Sequence, residues 1–258
     1  MFFNLSNHPS SGWTKEQYEY AYSRWGEIRD LPFPPLGPEL TEEDVLREVR
    51  DYLPKIPAKE EGVMSVFGEF CFTYAMANLL MRRGYSVKCV HSVDTVTTKP
   101  GEDGVIERRI EYRFLRYADY VTLPEKIERL ESFEPVFLNC SCNYRSSEWL
   151  PEATAAAEVY GRIEDLPIEP FRGDEERQRS LARSLLRQID EIRPSAVLLD
   201  GAFGTFYIMA DTLLRRGYNV LVKCSERIVK EEKGPDDTII KTSQYRFVRY
   251  RKVLPYTE

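Results

Sequence analysis

The chain repeats itself. "MANLLMRRGYSV" at 76–87 returns as "MADTLLRRGYNV" at 209–220, and "YRFLRY" at 112–117 returns as "YRFVRY" at 245–250. Both pairs lie 133 residues apart, and the alignment runs without a gap from Gly68 to Tyr117, with about two in five positions identical. Nearer the N-terminus the match continues at slightly different offsets. "NLS" (4–6) answers "NCS" (139–141), "SSGW" (10–13) answers "SSEW" (146–149), and "GEIRDLPF" (26–33) answers "GRIEDLPI" (161–168). A period of about 120 residues exceeds any solenoid module and suffices for a domain. Two copies of one fold are expected, residues 1–120 and 134–258, joined by a charged segment near 119–134.

Each copy reads as α/β. Phe2–Leu5 is a short apolar strand, and Thr14 with Gln17 forms a capping box before Tyr18, Ala21, Tyr22 and Trp25 at helical spacing. Gly26 stops that helix, Glu27–Leu31 reads as a strand, and Thr41 caps a second amphipathic helix carrying Val45, Leu46, Val49, Tyr52, Leu53 and Ile56 on one side. Val63–Phe67 is a continuous apolar strand, as in sheets covered on both faces. The helix from Glu69 to Arg83 is apolar nearly all round, so it is central, and Gly84 ends it. Strands at Tyr85–Thr97 and Val105–Tyr117 flank the turn 100–104. This order, βαβαβα and then a β-hairpin, predicts two tandem Rossmann-like domains with mostly parallel sheets, arranged as a pseudo-dimer.

The 36 Lys and Arg against 42 Asp and Glu give a net charge of −6, which disfavours long duplex nucleic acids but leaves room for a small anion in a local pocket. No apolar run reaches the ~20 residues of a membrane span, and the opening residues lack a basic stretch before an apolar one, so a cytoplasmic location without membrane contact is expected. The five cysteines, Cys71, Cys89, Cys140, Cys142 and Cys224, show no C-x-x-C spacing, and the histidines are only His8 and His91. Reduced, packed cysteines are expected, with neither metal nor cofactor.

Ligands of open α/β sheets bind beyond the carboxyl ends of the strands. Three segments per copy reach that edge. The loop after the first strand carries Ser6, Asn7, His8, Ser10, Ser11 and Trp13, and its counterpart carries Asn143, Arg145 and Ser146. Hydroxyls and helical N–H groups there suit an anion, although such residues also simply cap turns. After the third strand come Gly68 and Glu69, or Gly201 with Thr205 further on, where a glycine allows close backbone approach. Neither is a Walker A or G-x-G-x-x-G element. Beyond the fourth strand lie Ser225 and Arg227, while His91 in mid-strand reads as structural. The repeated Arg82-Arg83 pair at a helix C-terminus suits the macrodipole and reads as solvated.

The loop Ser6-Asn7-His8-Pro9 on this architecture resembles the small CRISPR-associated ring nucleases, relatives of the CARF domains of type III CRISPR systems. Those proteins act as dimers that degrade cyclic oligoadenylate messengers, commonly cyclic tetra-adenylate, switching off an antiviral defence signal. The resemblance implies that Ser6, His8 and Ser10 stand near the ring of phosphates. The second copy departs from the motif at Asn143 and Tyr144, so one loop is expected to dominate.

The chemistry follows from the residue types. Metal-independent cleavage needs a ribose 2′-hydroxyl in line with phosphorus and donors for the charged oxygens. It leaves linear products with a cyclic 2′,3′-phosphate. His8, Ser10 and Ser11 are the candidate catalytic set, with His8 as general acid or base. Arg145 and Arg227 are candidate phosphate partners. The competing expectations are a non-catalytic cyclic-nucleotide sensor or sponge, favoured by loss of the histidine from the second loop, and another nucleotide-processing enzyme such as a glycosidase. A monomeric pseudo-dimer is expected, with further self-association open.

Overall fold

In the computed structural model, residues 1–100, 106–141, 145–148, 150–168, 173–233 and 239–257 are described. The first repeat runs β1 (Phe2–Ser6), α1 (Lys15–Trp25), β2 (Ile28–Pro32), α2 (Glu42–Tyr52), β3 (Val63–Phe67), α3 (Phe70–Arg82), β4 (Val87–Pro100) and β5 (Ile106–Asp119). The second runs β6 (Glu134–Ser141), α4 (Leu150–Tyr160), β7 (Arg162–Asp165), α5 (Glu175–Ile192), β8 (Pro194–Asp200), α6 (Phe203–Arg216), β9 (Asn219–Lys233) and β10 (Ile239–Lys252). The sheets are ordered β2-β1-β3-β4-β5 and β7-β6-β8-β9-β10, parallel except for the last strand of each. These are two tandem Rossmann-like domains.

Local chemistry explains the elements. Thr41 and Asp44 form a reciprocal capping box on α2, and Asp174 caps α5 by accepting from Arg177 N. α3 and α6 bury residues on nearly every side, as their unbroken apolar sequences require. The face of α1 differs from expectation: Tyr18 and Tyr22 are exposed and stack on one another, while Ala21 is buried and Tyr20 and Trp25 pack around Phe2 and Tyr117. Tyrosine is amphipathic, so its spacing alone does not say which face turns inward. Cys71, Cys89, Cys140 and Cys224 are buried and free; Cys142 lies outside the described residues.

The two repeats pack along an approximate two-fold axis between α3 and α6. Residues 133 apart meet there: Phe70 with Phe203 (ring centroids 5.1 Å) and Tyr74 with Tyr207 (5.3 Å). Buried side chains of both repeats join in one hydrophobic cluster. The tails are exchanged as well. Arg82 of the first repeat donates to the carbonyl of Tyr256, and Arg215 of the second donates to the carbonyl of Leu123 at 2.7 Å. Arg82 and Arg215 are equivalent positions 133 apart, as are Leu123 and Tyr256, so each repeat grips the other's tail. The helix-terminal arginines are thus not simply solvated, because their guanidinium forks satisfy carbonyls of the exchanged segments. Arg116 likewise crosses to the carbonyl of Gly173 (2.5 Å), and Arg249 to the Glu42 carboxylate (3.4 Å).

The cross-repeat contact at Arg251 has no symmetric mate. Arg251, 1% exposed, pairs with Glu69 (3.1 Å) and donates to the carbonyls of Leu40 (2.9 Å) and Gly37 (2.8 Å). The equivalent positions, 133 residues away, are Ala118 and Ala202. Both hairpins carry a bulge at the same place, at Leu115 opposite His91/Ser92 and at Val248 opposite Cys224/Ser225, where it bends the strands and raises their twist.

Candidate functional site

A doubly wound sheet opens a crevice where neighbouring strands send their connections to opposite sides. In the first repeat that point lies between β1 and β3, whose last residues, Ser6 and Phe67, are level in register. In the second repeat it lies between β6 and β8, with Ser141 level with Asp200.

The first loop is tightly hydrogen-bonded. Asn4, 1% exposed, donates from Nδ2 to Asp30 Oδ1 (2.7 Å) and to the His8 carbonyl (3.0 Å). Ser6 Oγ lies 2.9 Å from both Asn4 Oδ1 and the His8 carbonyl, and accepts from His8 N at 3.1 Å. A 3-10 turn follows at Ser10–Gly12. Ser10 donates from Oγ to Asp30 Oδ2 (2.6 Å) and from its backbone N to both carboxylate oxygens (3.0 and 3.1 Å). Asn7, His8 and Ser11 are exposed, and the His8 ring lies nearly parallel to Phe67 with centroids 6.1 Å apart.

The second loop is built alike. Asn139 Nδ2 donates to Asp165 Oδ1 (2.6 Å), and Ser146 donates to Asp165 from its N (3.0 and 3.2 Å) and from Oγ (2.8 Å). Its serine is turned differently, because Asp200 stands where the first repeat has Phe67: Ser141 Oγ donates to Asp200 Oδ2 at 3.4 Å. Arg145 is exposed on this loop, while Asn143, Tyr144 and Trp149 lie outside the described residues.

The two crevices share one surface. Phe67 packs against Phe203 (5.9 Å), and Phe203 meets Phe70 at the axis, so a run of rings leads from His8 to the start of α6. The N-termini of α3 and α6 therefore lie side by side on the face that carries both loops.

Several expected ligand residues have other work. Trp13 is half-buried, with Nε1 donating to the His8 carbonyl (3.1 Å) and its ring edge against Phe2. Glu69 caps α3 by accepting from Phe72 N (2.8 Å) and holds Arg251. At Gly68 a Cβ would come within 2.5 Å of the Phe33 ring, so that ring accounts for this glycine. Gly201 has φ +136°, a region that favours glycine. Ser225 is half-buried in β9; Arg227 is on the same strand, opposite Tyr245, and its side chain is not among those described.

Thr205 borders a shallow recess with Gln178, Leu181, Ala182, Ile208 and Met209 that is too small to admit even a water molecule, so it is no ligand pocket. Beside it, His91 is 8% exposed, and a Cβ on Gly204 would lie 2.9 Å from its Nε2. Burial, reinforced by Arg116, lowers the His91 pKa to about 4, so this imidazole is neutral and structural.

Sequence reasoning missed Asp30 and Asp165. Both stand at the same place in the aligned segments 26–33 and 161–168, and parallel pairing sets them level with Asn4 and Asn139. Among the described residues no group of three or more His, Cys, Asp or Glu is arranged to hold a metal ion, and no helix is long and apolar enough to cross a membrane.

Fold and site together define a tandem pseudo-dimer of Rossmann-like domains with two loops opening on one face. The model of the uncharacterized protein MJ1673 family matches residues 1–118 and 141–251, and the chain belongs to that family. The two matched stretches correspond to the two repeats. No curated protein matches the chain.

Proposed function

We propose that the protein binds a cyclic oligoadenylate on the face shared by the two loops and cleaves it as a ring nuclease of the type III CRISPR kind. The observation that carries this reading is the meeting of Phe70 and Phe203 at the axis, which brings both crevices onto one surface suited to a ligand with two-fold symmetry. In this reading His8 exchanges the proton of the 2′-hydroxyl or of the leaving oxygen. The exposed Ser11 hydroxyl and backbone N–H groups stabilise the phosphate oxygens. Ser10, held by Asp30, keeps the turn in place. Arg145 and the second loop contribute binding.

Incubation with labelled cyclic tri-, tetra- and hexa-adenylate in EDTA tests it. The expected result is conversion of the tetra-adenylate to linear products ending in a cyclic 2′,3′-phosphate. A ring bound but left intact supports instead a sensor or sponge, the reading favoured by the loss of histidine from the second loop. Absence of binding to any of the three rings overturns both.

A further inference from the structure

We infer that Asp30 is the positioning residue that fixes where His8 stands. The inference deepens the reading of His8 as the proton-transfer group and rests on it for its kinetic consequence, but its structural part holds without any ligand. The loop between Asn4 and Ser10 is fastened at both ends to one carboxylate. Asn4 reaches Asp30 from the strand side at 2.7 Å, and Ser10 reaches it from the turn side through its hydroxyl (2.6 Å) and its backbone N (3.0 and 3.1 Å). The second hydrogen of Asn4 Nδ2 then takes the His8 carbonyl at 3.0 Å, and Trp13 Nε1 takes the same carbonyl at 3.1 Å. The peptide that carries the imidazole is therefore set by a network whose hub is Asp30, on the neighbouring strand.

The second repeat supplies an internal control. Asp165 holds Asn139 and Ser146 with the same atoms at matching distances. Removing either carboxylate disturbs the same local structure, but only Asp30 anchors a loop with an imidazole. A purely structural role would cost the two variants similar stability with no selective loss of kcat; a positioning role adds a loss of kcat at Asp30 alone.

The test is imidazole ¹H–¹⁵N spectroscopy of the full chain, with Asp30→Asn compared with Asp165→Asn. The chain has only two histidines, so the signals of buried His91 and exposed His8 are readily told apart. Both variants are expected to lose similar thermal stability. Asp30→Asn shifts the His8 resonances and spares those of His91, whereas Asp165→Asn spares both. With cyclic tetra-adenylate, Asp30→Asn lowers kcat by about 10²-fold, the scale of a ~1 Å misplacement, while Asp165→Asn acts mainly on KM. His8 resonances unmoved by Asp30→Asn, or moved equally by Asp165→Asn, overturn the inference. A selective His8 shift in a protein whose unaltered form cleaves no ring defeats the proposed function and leaves the positioning role standing. Should Asp30→Asn fail to fold, Ser10→Ala removes only the hydroxyl bond to the carboxylate and must give the same selective shift; no shift there also overturns the inference.

Discussion

Replacing Arg251 by methionine should destabilise the whole chain, and the structure sets the size of the effect. The guanidinium is 1% exposed and has three partners, the Glu69 carboxylate and the carbonyls of Gly37 and Leu40. Methionine fills much of the volume but leaves a carboxylate and two carbonyls without their donor. Breaking one side of a buried pair costs about 3–5 kcal/mol. Glu69 retains its bond from Phe72 N and a side chain 21% exposed, which places the cost toward the lower end. At about 2 °C per kcal/mol for a chain of this length, Tm should fall by roughly 6–8 °C. Calorimetry reads this directly, and a double-mutant cycle with Glu69→Gln should return a coupling above about 1 kcal/mol. A Tm within 1 °C of the parent, or a cycle that closes without coupling, would refute the argument that this pair ties the repeats together.

Other outcomes follow from the same contacts. His91 is neutral in the folded chain with a pKa near 4, against about 6.5 when unfolded. Its stabilising contribution is complete above pH 6.5 and is lost as pH falls toward 4, by about 3 kcal/mol at pH 4. Urea midpoints of the parent and His91→Asn should therefore converge as the pH is lowered through that window; a constant gap contradicts the assignment. Gly68→Ala should cost about 1–3 kcal/mol through overpacking against Phe33, and less in a Phe33→Leu background, as judged by Tm. Because one cluster of buried residues spans both repeats, calorimetry should show one unfolding transition, and two resolved transitions would argue against a shared core.

What the sequence disclosed was local. The repeat, the order of elements and the central place of α3 and α6 could all be read from identity and apolar runs, because a helix apolar on every side must be enclosed. The face of α1 could not, since Tyr18, Tyr20 and Tyr22 suit either water or a core. At the site, the loop residues were visible, but Asp30 and Asp165 were not singled out. Their role depends on which strand lies beside β1 and β6, at a separation of 26 residues, and local spacing is silent about that. Arg251 was hidden for a similar reason. In "VRYRK" (248–252) it looks like a surface strand cation, and only the approach of residues 37–42 from the other repeat buries it.

The places where the two-fold relation fails are the most informative about the fusion. In a homodimer, a substitution at the axis changes both halves of the interface at once, so an asymmetric contact cannot be encoded. Of the many equivalent positions that differ, five pairs bear on these contacts: Phe67 and Asp200, Glu69 and Ala202, Cys71 and Gly204, His91 and Cys224, and Ala118 and Arg251. They are not scattered. Arg251 needs Glu69, and His91 needs the absent side chain of Gly204, so each change has its complement across the axis. The crevice differs in the same way: His8 lies against Phe67 in one repeat, and Ser141 turns to Asp200 in the other. Symmetrising the interface by Ala118→Arg with Ala202→Glu should therefore not add a second clamp. Arg116 already donates to the Gly173 carbonyl, and residues 173–174 open α5 where the first repeat has the longer approach to α2. The expected result is a Tm unchanged or lowered; a rise matching the loss from Arg251→Met would show that the two lobes are interchangeable after all.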